Sequence, residues 1–205
     1  MEEIQFKSPV TMMLSGCTRS GKTTFIKRLL ENLNVFDKIP ERIYYFYGIY
    51  SPAFQTKSER INFIEGLPDD FTTYVNNNHS HTLIVIDDLQ KEVSDSSAVE
   101  KLFTRESHHR NLSVCLLLQN IFYQGKIMRT LALNSHVIIL FKNPRSNSQL
   151  RILQSQLGLK HLLEAYNDIM KTPYSYLVVD CSPDADPRYQ LRTHVFPGEV
   201  PVIFQ

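Results

Sequence analysis

The sequence Gly16-Cys17-Thr18-Arg19-Ser20-Gly21-Lys22-Thr23 matches the G-x-x-x-x-G-K-T pattern of phosphate-binding loops at every fixed position. An apolar run at 10–14 precedes it and a helical pattern at 22–33 follows it. In this context backbone N–H groups and the helix N-terminus point at a bound anion. We expect Lys22 to reach the β- and γ-phosphates and Thr23 to bind Mg²⁺. The predicted nucleotide-binding residues are Gly16, Cys17, Thr18, Arg19, Ser20, Gly21, Lys22, Thr23 and Thr24.

Further apolar runs on the C-terminal side of this loop alternate with helical patterns. The runs are mostly continuous, as expected of strands buried on both faces of a parallel sheet. They lie at 43–47, 83–86, 112–118, 137–141 and 176–179, and the helical patterns lie at 97–107, 127–133, 148–157 and 161–170. The alternation predicts an α/β fold with a mostly parallel sheet flanked by helices.

Two parts of the chain depart from this alternation. The stretch 51–78, with its prolines and three consecutive asparagines, is expected to hold two short helices and a loop. The proline-rich residues 182–205 are expected to form an extended tail, as strands or a hairpin over one edge. We therefore divide the chain into a P-loop ATPase domain at 1–181 and a C-terminal tail at 182–205 that packs on or beyond it.

Composition excludes several classes of protein. The 205 residues carry 22 basic and 21 acidic side chains, a net charge of +1, so a uniformly basic DNA-coating surface is ruled out. Cys17, Cys115 and Cys181 show no C-x-x-C spacing, which argues against disulfides and structural zinc. The N-terminus does not resemble a secretory signal, and the apolar runs are too short to span a bilayer. These features predict an intracellular protein without membrane association.

Polar side chains follow two of the predicted strands. Asp87 and Asp88 come directly after the run 83–86, and Gln119 follows the run 112–118. Because the carboxyl ends of parallel strands form the ligand edge of such sheets, we assign Asp87 as the Mg²⁺ ligand. Asp88 is the candidate general base, or else a helix cap or loop carboxylate. Gln119 is expected to orient the attacking water, or else to cap the following helix.

Arginines near predicted strand or helix ends, from the same subunit or from a neighbour, are candidates to stabilise charge on a transferred phosphoryl group. Arg110, directly before the run 112–118, is the first choice, acting on the site of a neighbouring subunit. Arg129 and Arg145 come next, Arg105 is a further candidate, and each of the four could instead be a solvated helix-end cation.

Three other segments have two readings each. The tyrosine-rich segment 42–50 is interpreted as a strand rather than as a base-stacking platform. The loop 124–126 is either a DNA contact or a surface turn. Adjacent His108 and His109 would point in different directions on a helix, which disfavours a zinc site.

The order of segments 16–23, 83–88 and 116–120 resembles the FtsK/HerA-type ATPases, specifically the small genome-packaging ATPases of double-stranded DNA viruses. Two further segments point to the poxvirus-like branch, which includes virophages and Polinton (Maverick) elements. They are Leu102–Ser113 with its continuation Gln119–Lys126, and Asn134–Arg145. The end of the chain, Pro187–Pro197, is also similar. Many relatives in the wider superfamily carry Asp-Glu at the end of the corresponding strand, where this chain has Asp87-Asp88.

The resemblance implies a RecA-like (ASCE) P-loop NTPase core that forms a homo-oligomeric ring, a pentamer or hexamer. Such a ring hydrolyses ATP between subunits and drives double-stranded DNA, independent of its sequence, into a preformed capsid through contacts with capsid vertex proteins. The implied location is the host-cell cytoplasm or nucleus at viral assembly sites, with possible association with the virion.

The sequence leaves two other functions open. A P-loop nucleotide or nucleoside kinase would need an acceptor site and an arginine-rich lid, and neither is evident. A non-translocating nucleotide-binding scaffold would not require Lys22, Thr23, Asp87 and Gln119. A small GTPase is disfavoured because Lys142-Asn143-Pro144-Arg145 lacks the order and the aspartate of N-K-x-D.

Overall fold

Nine strands form one sheet in the computed structural model, which describes residues 4–49, 59–74, 80–121 and 125–204. The order across the sheet is β3-β2-β4-β5-β1-β6-β7-β8-β9. The first six of these strands are parallel, and β7, β8 and β9 each pair antiparallel with the preceding strand. The strands are β1 (Thr11–Ser15), β2 (Arg42–Tyr47), β3 (Ile61–Glu65), β4 (Thr82–Asp87), β5 (Leu112–Leu118), β6 (Val137–Phe141), β7 (Tyr176–Asp180), β8 (Leu191–Thr193) and β9 (Val202–Phe204).

Helices connect the strands. They are α1 (Lys22–Glu31), α2 (Gln90–Ser94), α3 (Ser97–Lys101), α4 (Ser107–His109), α5 (Lys126–Leu133), α6 (Asn147–Leu157) and α7 (Leu162–Ile169). A π-helical segment, Leu102–Glu106, joins α3 to α4. Short 3₁₀ turns lie at Leu33–Val35, Thr72–Tyr74 and Pro187–Tyr189. Among the described residues no helix combines the length and the apolar character that a membrane span requires.

The continuous apolar runs have a direct structural cause. Side chains alternate between the two faces of a strand, and each face of this sheet has its own core. On β1, Met13 belongs to the core that includes α5, α6 and α7, while Met12 and Leu14 belong to the core that includes α1. A strand covered on both sides needs apolar residues at every position. This confirms the predicted α/β fold with a mostly parallel sheet flanked by helices.

The prediction of two short helices and a loop at 51–78 is wrong in the described part. Ile61–Glu65 forms β3, the edge strand that pairs with β2, and Thr72–Tyr74 is a single 3₁₀ turn. β3 has only one buried residue, Ile61, so its sequence lacks the continuous apolar signal of the central strands. Residues 51–58 and 75–78 of that prediction lie outside the described residues.

The C-terminal segment extends the sheet beyond β7. β8 pairs with β7 and β9 pairs with β8, so residues 191–204 add two antiparallel strands to this edge. Arg192 on β8 is 2% exposed and donates two hydrogen bonds of 3.0 Å to Asp180 Oδ2 on β7. A buried guanidinium is tolerated only when paired in this way, so the pair specifies the position of β8.

Candidate nucleotide-binding site

The phosphate loop, residues 16–21 between β1 and α1, is anchored to the carboxyl ends of both strands that flank β1. The Gly16 N–H donates to the Leu118 carbonyl on β5 at 3.2 Å. On the other side, the Cys17 N–H and Sγ donate to the Lys142 carbonyl after β6 at 3.4 and 3.1 Å. A Cβ at Gly16 would lie 2.5 Å from Phe141 Cβ, so only glycine allows this approach.

The loop then turns sharply into α1. Arg19 and Gly21 adopt left-handed backbone conformations with φ of 64° and 110°. Gly21 precedes the first residue of α1 and has no side chain with which to cap the N–H groups of the first turn. Ser20 is 6% exposed, and its hydroxyl has no hydrogen-bond partner within the described residues. Uncapped N–H groups and an unpaired buried hydroxyl fit a bound phosphate chain.

Lys22 lies inside the curve of this loop. Its Nζ donates to the carbonyl oxygens of Gly16 at 2.5 Å and Cys17 at 3.0 Å. Burial lowers the pKa of the Lys22 ammonium, and attraction from Asp87 and Asp88 opposes that change. The loop thus has a cation at its centre, within the field of the two carboxylates at the end of β4.

Asp87 ends β4 and accepts a hydrogen bond from the Tyr45 hydroxyl of β2, with 2.7 Å between Oη and Oδ2. Burial raises the pKa of Asp87, whereas the Tyr45 hydrogen bond and the charge of Lys22 lower it. Asp88 is exposed and has a left-handed φ of 57°. Thr23, at the start of α1, is also exposed. Carboxylate and hydroxyl oxygens suit Mg²⁺, so Asp87 and Thr23 are chemically fit to hold it.

Gln119 follows β5 with an exposed side chain. Its N–H donates to Gln90 Oε1 of α2 at 2.9 Å, and its carbonyl accepts from Asn143 Nδ2 at 3.5 Å. Asn143 is itself placed by Tyr166, whose hydroxyl accepts from the Asn143 N–H at 2.9 Å. The backbone of Gln119 is therefore held between the segments that follow β4 and β6, at the same edge as Asp87.

Arg110 lies at the opposite edge of the sheet. It directly follows α4, near the amino end of β5, whereas the phosphate loop is at the carboxyl end. Seven residues of β5 separate the two edges, about 23 Å at 3.3 Å per residue. Within one chain Arg110 does not reach the phosphate loop. Arg145 follows β6 at the carboxyl edge, and Arg129 is exposed on α5.

Three residues of this site were not predicted from the sequence: Tyr45, Gln90 and Asn143. Residues 42–47 of the tyrosine-rich segment form β2, which confirms the predicted strand there, and residue 50 lies outside the described residues. The role of Tyr45 depends on β2 lying next to β4, where Tyr45 pairs with Val85 and is diagonal to Asp87. A strand order that places β2 beside β4 is not encoded in any local pattern.

The α/β fold, with its mostly parallel sheet flanked by helices, is shared with several solved structures. The genome packaging NTPase B204 from Sulfolobus turreted icosahedral virus 2, in complex with ATP-gammaS, aligns with a TM-score of 0.55 and 15% identity over 96% of both chains. B204, the DNA-packaging ATPase from Sulfolobus Turreted Icosahedral Virus, gives 0.55 and 13% over 96% of this chain and 97% of its own. EssC (ATPases 2 and 3) from Geobacillus thermodenitrificans gives 0.51 and 12%, covering 95% of this chain and 39% of that one.

No protein-family model matches the sequence, and no curated protein matches it significantly. At identities of 12–15% the structural likeness establishes a shared fold.

Proposed function

We propose that the protein is a Mg²⁺-dependent ATPase of the FtsK/HerA type that works as a ring motor and packages viral double-stranded DNA into a preformed capsid. The observation that carries hydrolysis is the convergence of three elements on one sheet edge. Lys22 lies inside the phosphate loop, Asp87 ends β4 within the electrostatic reach of Lys22, and Gln119 follows β5, the strand between β4 and β1. The likeness to packaging NTPases over nearly the whole chain supports the packaging role.

In this proposal each residue has one task. The N–H groups of the loop and of the first turn of α1 bind the phosphates, and Lys22 neutralises charge on the β- and γ-phosphates. Thr23 and Asp87 hold Mg²⁺, which when bound neutralises developing charge on the phosphate oxygens. Asp88 accepts the proton of the attacking water, and Gln119 orients that water.

Arg110 acts on the site of the adjacent subunit. Its position at the edge opposite the phosphate loop of its own chain requires a neighbour if it is to stabilise the transferred phosphoryl group. Hydrolysis is then coupled to assembly, and an isolated subunit turns over slowly.

In this proposal the protein contacts the sugar-phosphate backbone of the DNA, independently of the DNA sequence. Of the predicted contact loop 124–126, Gly125 and Lys126 are described, and Lys126 is the exposed first residue of α5, whereas Gln124 lies outside the described residues. Because the net charge of the chain is only +1, DNA binding depends on a local ring of such cations. The affinity for DNA should therefore fall as the salt concentration rises. Capsid vertex proteins are the proposed docking partners, at assembly sites in the host cytoplasm or nucleus.

The test is ATP hydrolysis across a protein concentration series, with and without double-stranded DNA. We expect turnover per subunit to rise steeply with concentration and with DNA, and to be abolished in Lys22→Ala. Lys27→Ala is the matched control, because Lys27 lies on the same helix but pairs only weakly, at 4.0 Å, with exposed Glu31. Turnover that does not change with protein concentration or with DNA, but rises when a small phosphate acceptor is added, would refute the motor and indicate a kinase.

A further inference from the structure

Tyr174 presents an exposed aromatic ring beside the phosphate loop. Its side chain is 71% exposed, and among the large hydrophobic residues that the described residues expose it is the one aromatic. It lies in the connection between α7 and β7. β7 begins at Tyr176, which pairs with Phe141 at the end of β6. The connection is therefore at the same sheet edge as the phosphate loop.

Tyr174 lies beside Gly21 of the loop. A Cβ built on Gly21 would lie 3.4 Å from the Tyr174 carbonyl oxygen and 3.5 Å from both its Cα and its Cβ. The Cβ from which the phenol ring extends is thus next to the space that a side chain at Gly21, the residue that precedes α1, would fill. Phosphates bound in the loop would lie at the N-terminus of α1, so a base that extends from them past Gly21 would meet this ring.

The connection that carries Tyr174 is well held. The Thr172 N–H donates to the Ile169 carbonyl at 3.1 Å, and Ser175 Oγ donates to the Thr172 carbonyl at 2.7 Å. The next residue, Tyr176, is buried and packs edge-on against Phe25 of α1, with 4.8 Å between ring centroids. Tyr174 itself has a φ of 60°, which is unfavourable for a residue with a Cβ. The backbone that carries the ring is therefore held in place, while Tyr174 remains 71% exposed.

We propose that Tyr174 is the base-stacking residue of the nucleotide site, with a purine base lying on the phenol ring. This proposal rests on the proposed function, because it needs phosphates in the loop, where the unpaired Ser20 hydroxyl and the uncapped start of α1 fit a bound anion. Stacking uses the π-face that every base has, so it selects by ring size rather than by hydrogen bonding. ATP and GTP should bind alike, and both should bind more tightly than CTP or UTP.

The first test uses fluorescence. Because the chain contains no tryptophan, Tyr174→Trp introduces a single indole at the predicted site. We expect ATP and GTP to quench its emission and inorganic tripolyphosphate, which has no base, to leave it nearly unchanged. Tyr189→Trp is the matched control, because Tyr189 lies at the opposite edge, where its carbonyl accepts from Arg192, and its emission should not respond to nucleotide. Equal responses of the indole emission in Tyr174→Trp to ATP and to tripolyphosphate would overturn the proposal.

The second test measures affinity by calorimetry. In Tyr174→Ala the Kd for ATP should rise about 5- to 150-fold, the loss expected for one base–aromatic contact, while the Kd for tripolyphosphate stays at the wild-type value. Tyr174→Phe should bind ATP as the wild type does, and a thermal melt of each variant checks that the chain is folded.

The outcomes separate this proposal from the proposed function. If the wild type binds both ligands and Tyr174→Ala retains full ATP affinity, stacking is refuted and the nucleotide site stands. Unchanged ATP affinity with loss of DNA-stimulated turnover would assign Tyr174 to a DNA or subunit contact and also refute stacking. If the wild type binds neither ATP nor tripolyphosphate, the nucleotide site fails, and the stacking role fails with it.

Discussion

The hydrogen bond from Tyr45 to Asp87 can be removed with little change of shape by Tyr45→Phe. Tyr45 is fully buried, and its Oη lies 2.7 Å from Asp87 Oδ2. A hydrogen bond to a charged group contributes about 1.5–3 kcal/mol. The same bond fixes the orientation of the carboxylate, and loss of a partner that orients a metal ligand typically weakens metal binding about 10- to 100-fold.

We therefore expect the Mg²⁺ concentration at half-maximal ATP binding to rise about 10- to 100-fold in Tyr45→Phe. ATP binding without Mg²⁺ should stay at the wild-type level, because the phosphate loop is untouched. Burial already raises the pKa of Asp87, and the Tyr45 bond counters it. Its removal raises that pKa further, so on acidification the variant should lose Mg²⁺-dependent binding at a higher pH than the wild type.

The assay is calorimetric titration of ATP at a series of Mg²⁺ concentrations, with thermal melts as the check on folding. Tyr44→Phe is the matched control, since Tyr44 faces the other side of β2 and packs against Tyr74, with 5.1 Å between ring centroids. If Tyr45→Phe keeps the wild-type Mg²⁺ dependence, the hydroxyl does not orient Asp87 for metal binding. An equal loss in Tyr44→Phe would mean that general disruption of β2 is responsible.

The remaining predictions test other parts of the molecule. Arg110→Ala should cut turnover at ring-forming concentrations while the Kd for ATP, measured by calorimetry, stays constant; weaker ATP binding would contradict a role in trans. Gly16→Ala should lose nucleotide binding and lower the melting temperature, because the added Cβ would lie 2.5 Å from Phe141 Cβ; a stable variant that binds ATP would show that the loop can shift. His81 is buried, its Nδ1 donates to the Lys38 carbonyl, and its Nε2 accepts from the Ser113 hydroxyl. Burial lowers its pKa, so the unfolded chain binds the proton first and the free energy of unfolding should fall as pH drops below about 6.5. Urea unfolding at two pH values should show that the free energy of unfolding falls less in His81→Asn than in the wild type. An equal fall in the two proteins would mean that another group is responsible for the pH dependence.

The parts of this protein that the sequence alone determines are those encoded by neighbouring residues. The phosphate loop is contiguous, so its glycines, Lys22 and Thr23 are recognisable without any knowledge of the fold. The strands buried on both faces are continuous apolar runs, because adjacent residues enter two different cores, as Met12 and Met13 do on β1. The placement of Asp87 and Gln119 at strand ends follows from the same local reading.

Tertiary structure alone decides which strands and loops are neighbours. It places β2 beside β4, so that Tyr45 reaches Asp87, and it brings the α7–β7 connection against Gly21. It makes residues 61–65 an edge strand and puts Arg110 at the edge opposite its own phosphate loop. The physical reason is that strand order depends on packing between residues far apart in the chain. A local periodicity of two or 3.6 residues specifies which face of an element is buried, but not which element covers it.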